Sequence, residues 1–322
     1  MARVARRIVH GLLLLAGVSV FAFALLSAAP GNFFDELRLN PQVSPETVAA
    51  LKIQYGMDRP LPVRYLRWVA SVARGQFGYS LSYHCTVGSL LWLRARNTLL
   101  LTGFATLLAW MVALPWGVLE ALHRGGWVDR MGGAVTAVLL AIPDVLLGLL
   151  LLLFAARTGW FPTGGMASVD AASAAFLGRL QDAALHLFLP VVALALGTIP
   201  ILVRHVRSAM VGVLDSPFVE AARGHGIPKW RLIYRHALPA ATNSLISQLG
   251  FSIGALLSMS LLMEVVLSWP GLGPLVLEAI LARDVYVVIA AVMLSSVFLV
   301  IGNLVADLLL YWSDPRIRAV SP

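Results

Sequence analysis

The chain has 322 residues, 59% of them apolar and 12% charged, with a mean hydropathy of +0.83. A soluble domain of this size carries about 25% charged residues, so the composition excludes an ordinary soluble enzyme and points to an all-α, multi-spanning membrane protein. The formal charge of +8 would fit nucleic acid in a soluble protein; here it reads as Arg kept in loops on the cytoplasmic side, and no nucleic-acid partner is expected.

The first apolar run, 8–29, follows the basic start MARVARR. At about 22 residues it exceeds the ~7–15-residue apolar region of a signal peptide, so it reads as a retained first span. Five further runs are long enough to cross a bilayer: 98–120, 131–156, 185–204, 240–266 and 285–311. Pro115, Pro143 and Pro200 fall inside these runs, which membrane helices tolerate when neighbours satisfy the freed carbonyls. With a cytoplasmic N-terminus, thirteen Lys and Arg fall in inner segments against three in the short outer loops, so both termini are expected in the cytoplasm. The expected divisions are 1–29, N-terminus and first span; 30–97, an outer helical loop; 98–311, a five-helix core; and 312–322, a cytoplasmic tail.

Within the outer loop, Ser44 can cap a helix, Pro45 suits its first turn and Gly56 its stop. A second amphipathic segment, PVRYLRWVASVARG, puts Leu66, Val69 and Val72 near one face. The lone cysteine, Cys85, lies in this loop; it rules out an intrachain disulfide and a Cys-rich metal site, and reads as a free thiol.

The inner segment 207–239 breaks the apolar pattern. It contains FVEAARGHGIPKWRLIYRHALP, residues 218–239. Ser216 or Asp215 can cap a helix starting at Pro217 and ending near Gly224 or Gly226. Such a helix is about 12 Å long and marginal alone in water, so it needs a surface to lie against. Ala221 and Ala222 permit close approach, and Arg223 and His225 suit the C-terminal dipole. From the residues alone, a peg for a protein partner and a basic helix on anionic lipid both fit.

The spacing Glu-Ala-Ala, three residues, Gly, nine residues, Ile-x-Leu-Pro resembles the signature loop of ABC importer permeases. Glu220, Ala221, Ala222, Gly226, Leu238 and Pro239 match, and His236 stands at the Ile position. Four more stretches resemble the first-type permease of the peptide/nickel branch: YGMDRPLPVRYLRWVASVARGQFGYSL, GWFPTGG, LSWPGLGPLVLEAILARD and DPRIR. The resemblance covers nearly the whole chain. It implies the type I importer permease fold with six spans, in the bacterial inner membrane. It implies a second permease, two ATPases that bind ATP and Mg and receive the signature helix, and an external solute-binding protein. Coupling would fall to Glu220, Ala221, Ala222, Arg223, Gly226, Leu238 and Pro239. The implied cargo is peptides, with nickel chelates or another small solute as the alternative. Consistent with a separate ATPase, neither Lys52 nor Lys229 stands in the Gly-Lys-Ser/Thr context of a phosphate-binding loop.

Several residues carry competing readings. GFSIG, 250–254, matches the Gly-x-Ser-x-Gly elbow of hydrolases, which would make Ser252 a nucleophile, but the elbow needs a strand and a turn. In an apolar helix Gly250 and Gly254 form a small-residue face for close packing. Asp144, in mid-span, costs roughly 2.5–3.5 kcal/mol to insert; it either lines the path and attracts a cationic group or is protonated or bonded to a neighbouring helix. Glu264 belongs by resemblance to the outer gate, or bonds the following turn. Asn303 can bond across helices and Asp307 reads as structural. His205, His225 and His236 read as loop and interface residues rather than metal ligands, and none of the seven histidines has H-E-x-x-H spacing.

Overall fold

Apolar periodicity and caps fix the helices in chain order. The computed structural model describes residues 2–28, 38, 43–54, 56, 58–80 and 82–313. DPRIR and almost all of the expected tail lie outside them. Helix α1 is Ala2–Ala28, α2 Pro45–Gln54 and α3 Leu61–Val72; a two-residue hairpin pairs β1 (Tyr79–Ser80) with β2 (Cys85–Thr86). Then follow α4 (Val87–Leu122), α5 (Trp127–Ala141), α6 (Asp144–Thr158), a 3₁₀ turn at Val169–Ala172, α7 (Phe176–Leu214), α8 (Pro217–Gly224) and α9 (Lys229–Leu232). A π turn, Ile233–Ala237, leads into α10 (Leu238–Val266), and α11 (Leu272–Leu281) and α12 (Val285–Ser313) complete the described chain.

Five of these helices are long and apolar enough to span a bilayer; α5 and α6 together make a sixth only as a pair bent by 94°. The single third span expected at 131–156 is therefore broken. Ile142 and Pro143 are both extended, because a residue before proline is driven out of the helical region. The other spans run past their expected ends. Helix α4 takes in 87–97, assigned to the outer loop from sequence, and α7 carries Arg204 and Arg207, assigned to the inner loop.

The residues divide into two units, Met1–Thr98 with Pro270–Phe298, and Leu99–Trp269 with Leu299–Pro322. Residues 270–298 thus fall with the outer segment, not with the 98–311 core. In the first unit Ser44 caps α2 by accepting the Thr47 N–H at 3.2 Å, and Gly56 stops the segment at φ +65°. Helix α3 packs on α1 through Phe23, Tyr65 and Trp68, with Ile289 in the same cluster. The expected face is displaced: Tyr65, Trp68 and Val72 turn inward while Leu66 and Val69 are exposed. The aromatic rings of Tyr65 and Trp68 supply more contact area against Phe23 than the aliphatic stripe does. Asp284 is buried, caps α12 and accepts the Ser80 hydroxyl at 2.7 Å, tying the hairpin to α12.

The second unit is a bundle of α4, α6, α7 and α10. Lipid is as apolar as leucine, so these helices are held by close packing and polar contacts rather than by flight from water. Gly117 admits Val206, since a Cβ there would lie 2.8 Å from the Val203 carbonyl oxygen. Gly250 and Gly254 face Ala306 and Leu299 of α12, and Gly302 returns the contact to Ile253, which is the close-packing role read from sequence.

Candidate functional site: a peg, a broken span and a buried turn

The segment 207–239 folds into a projecting helix with fixed ends. Pro217 opens α8, as a residue whose missing N–H costs nothing there. The expected side-chain cap does not form: the Ser216 hydroxyl donates to the Val213 carbonyl, and the Ser216 carbonyl accepts the Glu220 N–H at 3.2 Å. Gly226 ends the helix. At φ +73° its N–H reaches the Arg223 carbonyl and the Ile227 N–H reaches that of Ala222, at 2.9 and 3.3 Å, a left-handed stop that favours glycine. Val219 is fully buried, while Glu220, Ala221 and Arg223 are exposed and Ala222 is half-exposed.

The return strand of this loop anchors itself through Leu232 and Ala237, both buried. His236, at the position where the signature has Ile, is half-buried in the π turn. Pro239 sits at the second position of α10; the wider π turn before it relieves the clash a proline makes with the carbonyl four residues back. Leu238 packs with Val118, Val206, Met210 and Ala241, so the loop closes on the ends of α4 and α7. Phe218, Trp230 and Tyr234 remain exposed beside the peg, with the Arg231 guanidinium 5.5 Å from the Trp230 ring centre.

Charges at the base of the peg were not read as a site from sequence. Arg207 donates from Nε and Nη2 to both Asp129 carboxylate oxygens, at 2.5 and 2.8 Å. Its Nε lies 4.0 Å from Glu120 Oε2, whose side chain is 2% exposed. Gly132 leaves room for that carboxylate, since a Cβ there would overlap it. The Gly125 N–H holds Asp129, and Arg124 pairs with Asp215 at 2.7 Å on the surface, two residues before the peg. The available signal was Glu120 closing an apolar run.

Asp144 is not in mid-helix. It is the first residue of α6, just after the break, where the helix dipole favours an anion. Its Oδ1 lies 2.5 Å, and Met259 Cε 2.9 Å, from where a Cβ on Gly197 would stand. The glycine therefore lets a carboxylate and a thioether reach the α7 backbone. Three residues later in α7 stands Pro200, which supplies no N–H to the Leu196 carbonyl. Asp144 is half-buried and makes no hydrogen bond or ion pair with a described residue.

Two of the quoted motifs meet in the second unit. The Gly165 N–H of GWFPTGG donates to the Ser268 carbonyl of LSWPG at 3.1 Å, and Gly164 abuts Ser268. Phe161 packs in the same cluster as Leu267 and Trp269. Glu264 is fully buried; its backbone carbonyl accepts the Trp269 N–H at 2.8 Å, closing the turn after α10.

Ser252 lies inside α10, 2% exposed. Its hydroxyl donates to the Leu249 carbonyl and accepts the Trp110 indole N–H at 3.1 Å. A nucleophile needs a base within hydrogen-bond reach; this hydroxyl is engaged by a carbonyl and an indole, so the elbow reading fails on geometry. His205 Nε2 lies 3.1 Å from Ser244 Oγ, joining α7 to α10. Among the described residues no group of three or more His, Cys, Asp or Glu is placed to hold a metal ion.

A family model described as "Binding-protein-dependent transport system inner membrane component" matches residues 113–319, and its N-terminal companion matches 1–93. The chain is 34% identical to an oligopeptide transport system permease protein of Bacillus subtilis, over 98% of this chain and 99% of that one. It is 34% identical to a di/tripeptide transport system permease protein of Pseudomonas aeruginosa, over 94% of each. A D,D-dipeptide transport system permease protein of Escherichia coli, named as probable, is 32% identical over 95% of this chain and 94% of that one. In fold, it matches the inward-facing MetNI methionine ABC transporter with a TM-score of 0.58 at 19% identity, covering 70% of this chain and 96% of that one.

Proposed function

The chain belongs to the binding-protein-dependent transport system inner membrane components, and on that premise we propose that it forms half of the translocation path of an ATP-driven peptide importer. The relatives cited are named for peptides, which favours that cargo over nickel. A second related permease completes the path. Two ATPases that carry ATP and Mg bind the inner side, a solute-binding protein delivers cargo outside, and both termini are cytoplasmic. Catalysis is no part of this chain's work.

The observation that carries the reading is the peg. Val219, Gly226 and Pro217 fix its ends and its inward face, while Glu220, Ala221 and Arg223 are left outward for an ATPase cleft. Coupling then requires that the ATPase contacts this helix differently in two states. Asp144 lines the path, where a half-buried carboxylate beside two proline-weakened helices attracts the amino group of a peptide.

Uptake of a labelled dipeptide by cells expressing the whole transporter tests both parts. Glu220→Lys with Gly226→Pro removes the outward acid and the left-handed stop; uptake falls to background while ATP hydrolysis persists. Undiminished uptake would refute the coupling. Asp144→Asn slows entry of free-amino dipeptides more than of their N-acetylated forms, and equal slowing of both removes Asp144 from the path.

A further inference from the structure

The first unit contains a cavity of about 300 Å³ that the transport reading does not use. Its lining includes Arg59, Arg64, Arg67, Trp68, Ser71 and Tyr286, and no Asp or Glu among the described residues. Three guanidinium groups around one small cavity repel each other unless an anion joins them. Among the described residues none of the three makes an ion pair or a side-chain hydrogen bond. Two donors there are buried and unpaired. They are Arg64 Nε and the indole Nε1 of Trp68, a residue only 5% exposed. A buried donor left unmade costs about 1–3 kcal/mol, so these groups are arranged for an acceptor that arrives from outside the chain.

The placement of α3 identifies the acceptor. Residues 64, 67, 68 and 71 recur at helical spacing and line the cavity. On the opposite side of the helix Leu66 is 65% exposed and Val69 38%. A cationic face set against an apolar face is the pattern of a helix lying in the bilayer interface. Tyr65 on α3 reaches Ser19 of α1 at 2.8 Å, which fixes α3 against that helix. Phe23 of α1 sits beneath the Arg64 guanidinium at 5.8 Å, and Tyr286 is the second residue of α12. The cavity is thus bordered by the first turn of one spanning helix, α12, in the zone where Trp, Tyr and Arg meet headgroups.

We propose that this cavity binds the phosphate of an anionic phospholipid, with Arg59, Arg64 and Arg67 as its counter-charges and the Trp68 indole as a neutral donor. The bound headgroup holds α3 against α1 and pins the outer subdomain to the membrane surface. The proposal does not rest on the identity of the cargo.

The test uses the full chain within its transporter, in nanodiscs of phosphatidylcholine alone or doped with phosphatidylglycerol. Native mass spectrometry counts the phosphatidylglycerol retained. Near a surface each arginine is worth ~1 kcal/mol to anionic lipid, or about fivefold in retention. Each of Arg59→Gln, Arg64→Gln and Arg67→Gln therefore loses about fivefold. Trp68→Phe keeps the packed ring and removes only the N–H; it lowers retention while α3 stays protected from proteolysis. Retention unchanged in the Arg variants overturns the proposal. So does inorganic phosphate displacing phosphatidylglycerol at equal concentration, which would make the cavity a site for soluble oxyanions. If Arg67→Gln alone perturbs the fold, Arg67→Lys restores the charge and returns most of the retention; failure of that rescue also counts against the proposal.

Discussion

Arg207 is the residue whose loss should be felt furthest from its own position. It carries two charge-assisted bonds to Asp129 and stands 4.0 Å from the nearly buried Glu120. Arg207→Gln keeps length and removes the charge, leaving two carboxylates facing each other. Removing one partner of a fully buried ion pair costs about 3–5 kcal/mol. The Arg207 side chain is 33% exposed, so water recovers part of this, and about 2–3 kcal/mol is expected. Asp129→Asn keeps an acceptor and loses the charge, for about 1–2 kcal/mol. The two changes share one interaction, so the double variant falls short of the sum by about 1.5 kcal/mol. Reversible unfolding in mixed micelles, followed by tryptophan fluorescence, measures this cycle. The functional consequence is specific. Arg207 ties the start of α5 to α7 ten residues before the peg, so its loss lets the peg's base yield. Dipeptide uptake should then fall more than ATP hydrolysis does. If the two changes add within about 0.5 kcal/mol and uptake tracks hydrolysis, the ion pair does not stiffen the peg and the reasoning is wrong.

Gly250→Leu forces a side chain against Ala306, where even a Cβ would stand at 2.4 Å; overpacking of about 1–3 kcal/mol is expected, read as a lower unfolding midpoint in the same micelles. Asp284→Ala removes the acceptor for the Ser80 hydroxyl and the Val287 N–H and should cost about 1–3 kcal/mol, with faster amide exchange at β1 and the first turn of α12. Burial, and then donation to the Glu278 carboxylate, push the Tyr83 phenol up to about 12. Its raised value means the contact is intact below the ordinary tyrosine range near 10 and is lost as pH rises through about 12. The difference in ultraviolet absorbance between the chain and its Tyr83→Phe variant should titrate in that upper window, and a midpoint near 10 would show the bond is not made.

Much of the architecture could be read directly because the bilayer allows few solutions. Length and apolarity located α1, α4, α7, α10 and α12, and the ends of the peg followed from Pro217 and Gly226, although the expected Ser216 side-chain cap does not form. What escaped was direction. Leu66 and Val69 have the spacing of a packed face, yet the aromatic residues one position away took the contact and left that face outward. Arg207 was counted as one of many loop charges because charge counts along a chain do not show that α7 continues to Leu214 and brings it to Asp129.

Pro143 shows why the third span was misread, and what the break achieves. Four prolines stand within the apolar runs; three of them, Pro115, Pro190 and Pro200, lie inside unbroken helices. Tolerance of proline was therefore a sound rule that failed once. The difference is the next residue. Pro143 is followed by Asp144, and an acid in the first turn after proline is a start signal, outweighed in the reading by the length of the apolar run around it. Inside a continuous span this carboxylate would bear its whole insertion cost of roughly 2.5–3.5 kcal/mol. At the start of α6 it stands at the positive end of a helix, worth up to ~2 kcal/mol in a partly buried setting. Gly197 adds the space for it to lie against α7. The bend and the acid are then one feature: the break supplies a place where a membrane-embedded charge can persist, and the charge gives the chain a reason to begin a new helix there. Asp144→Leu removes the acid and its start signal together, leaving the Ile142–Pro143 break with nothing to hold at its open end.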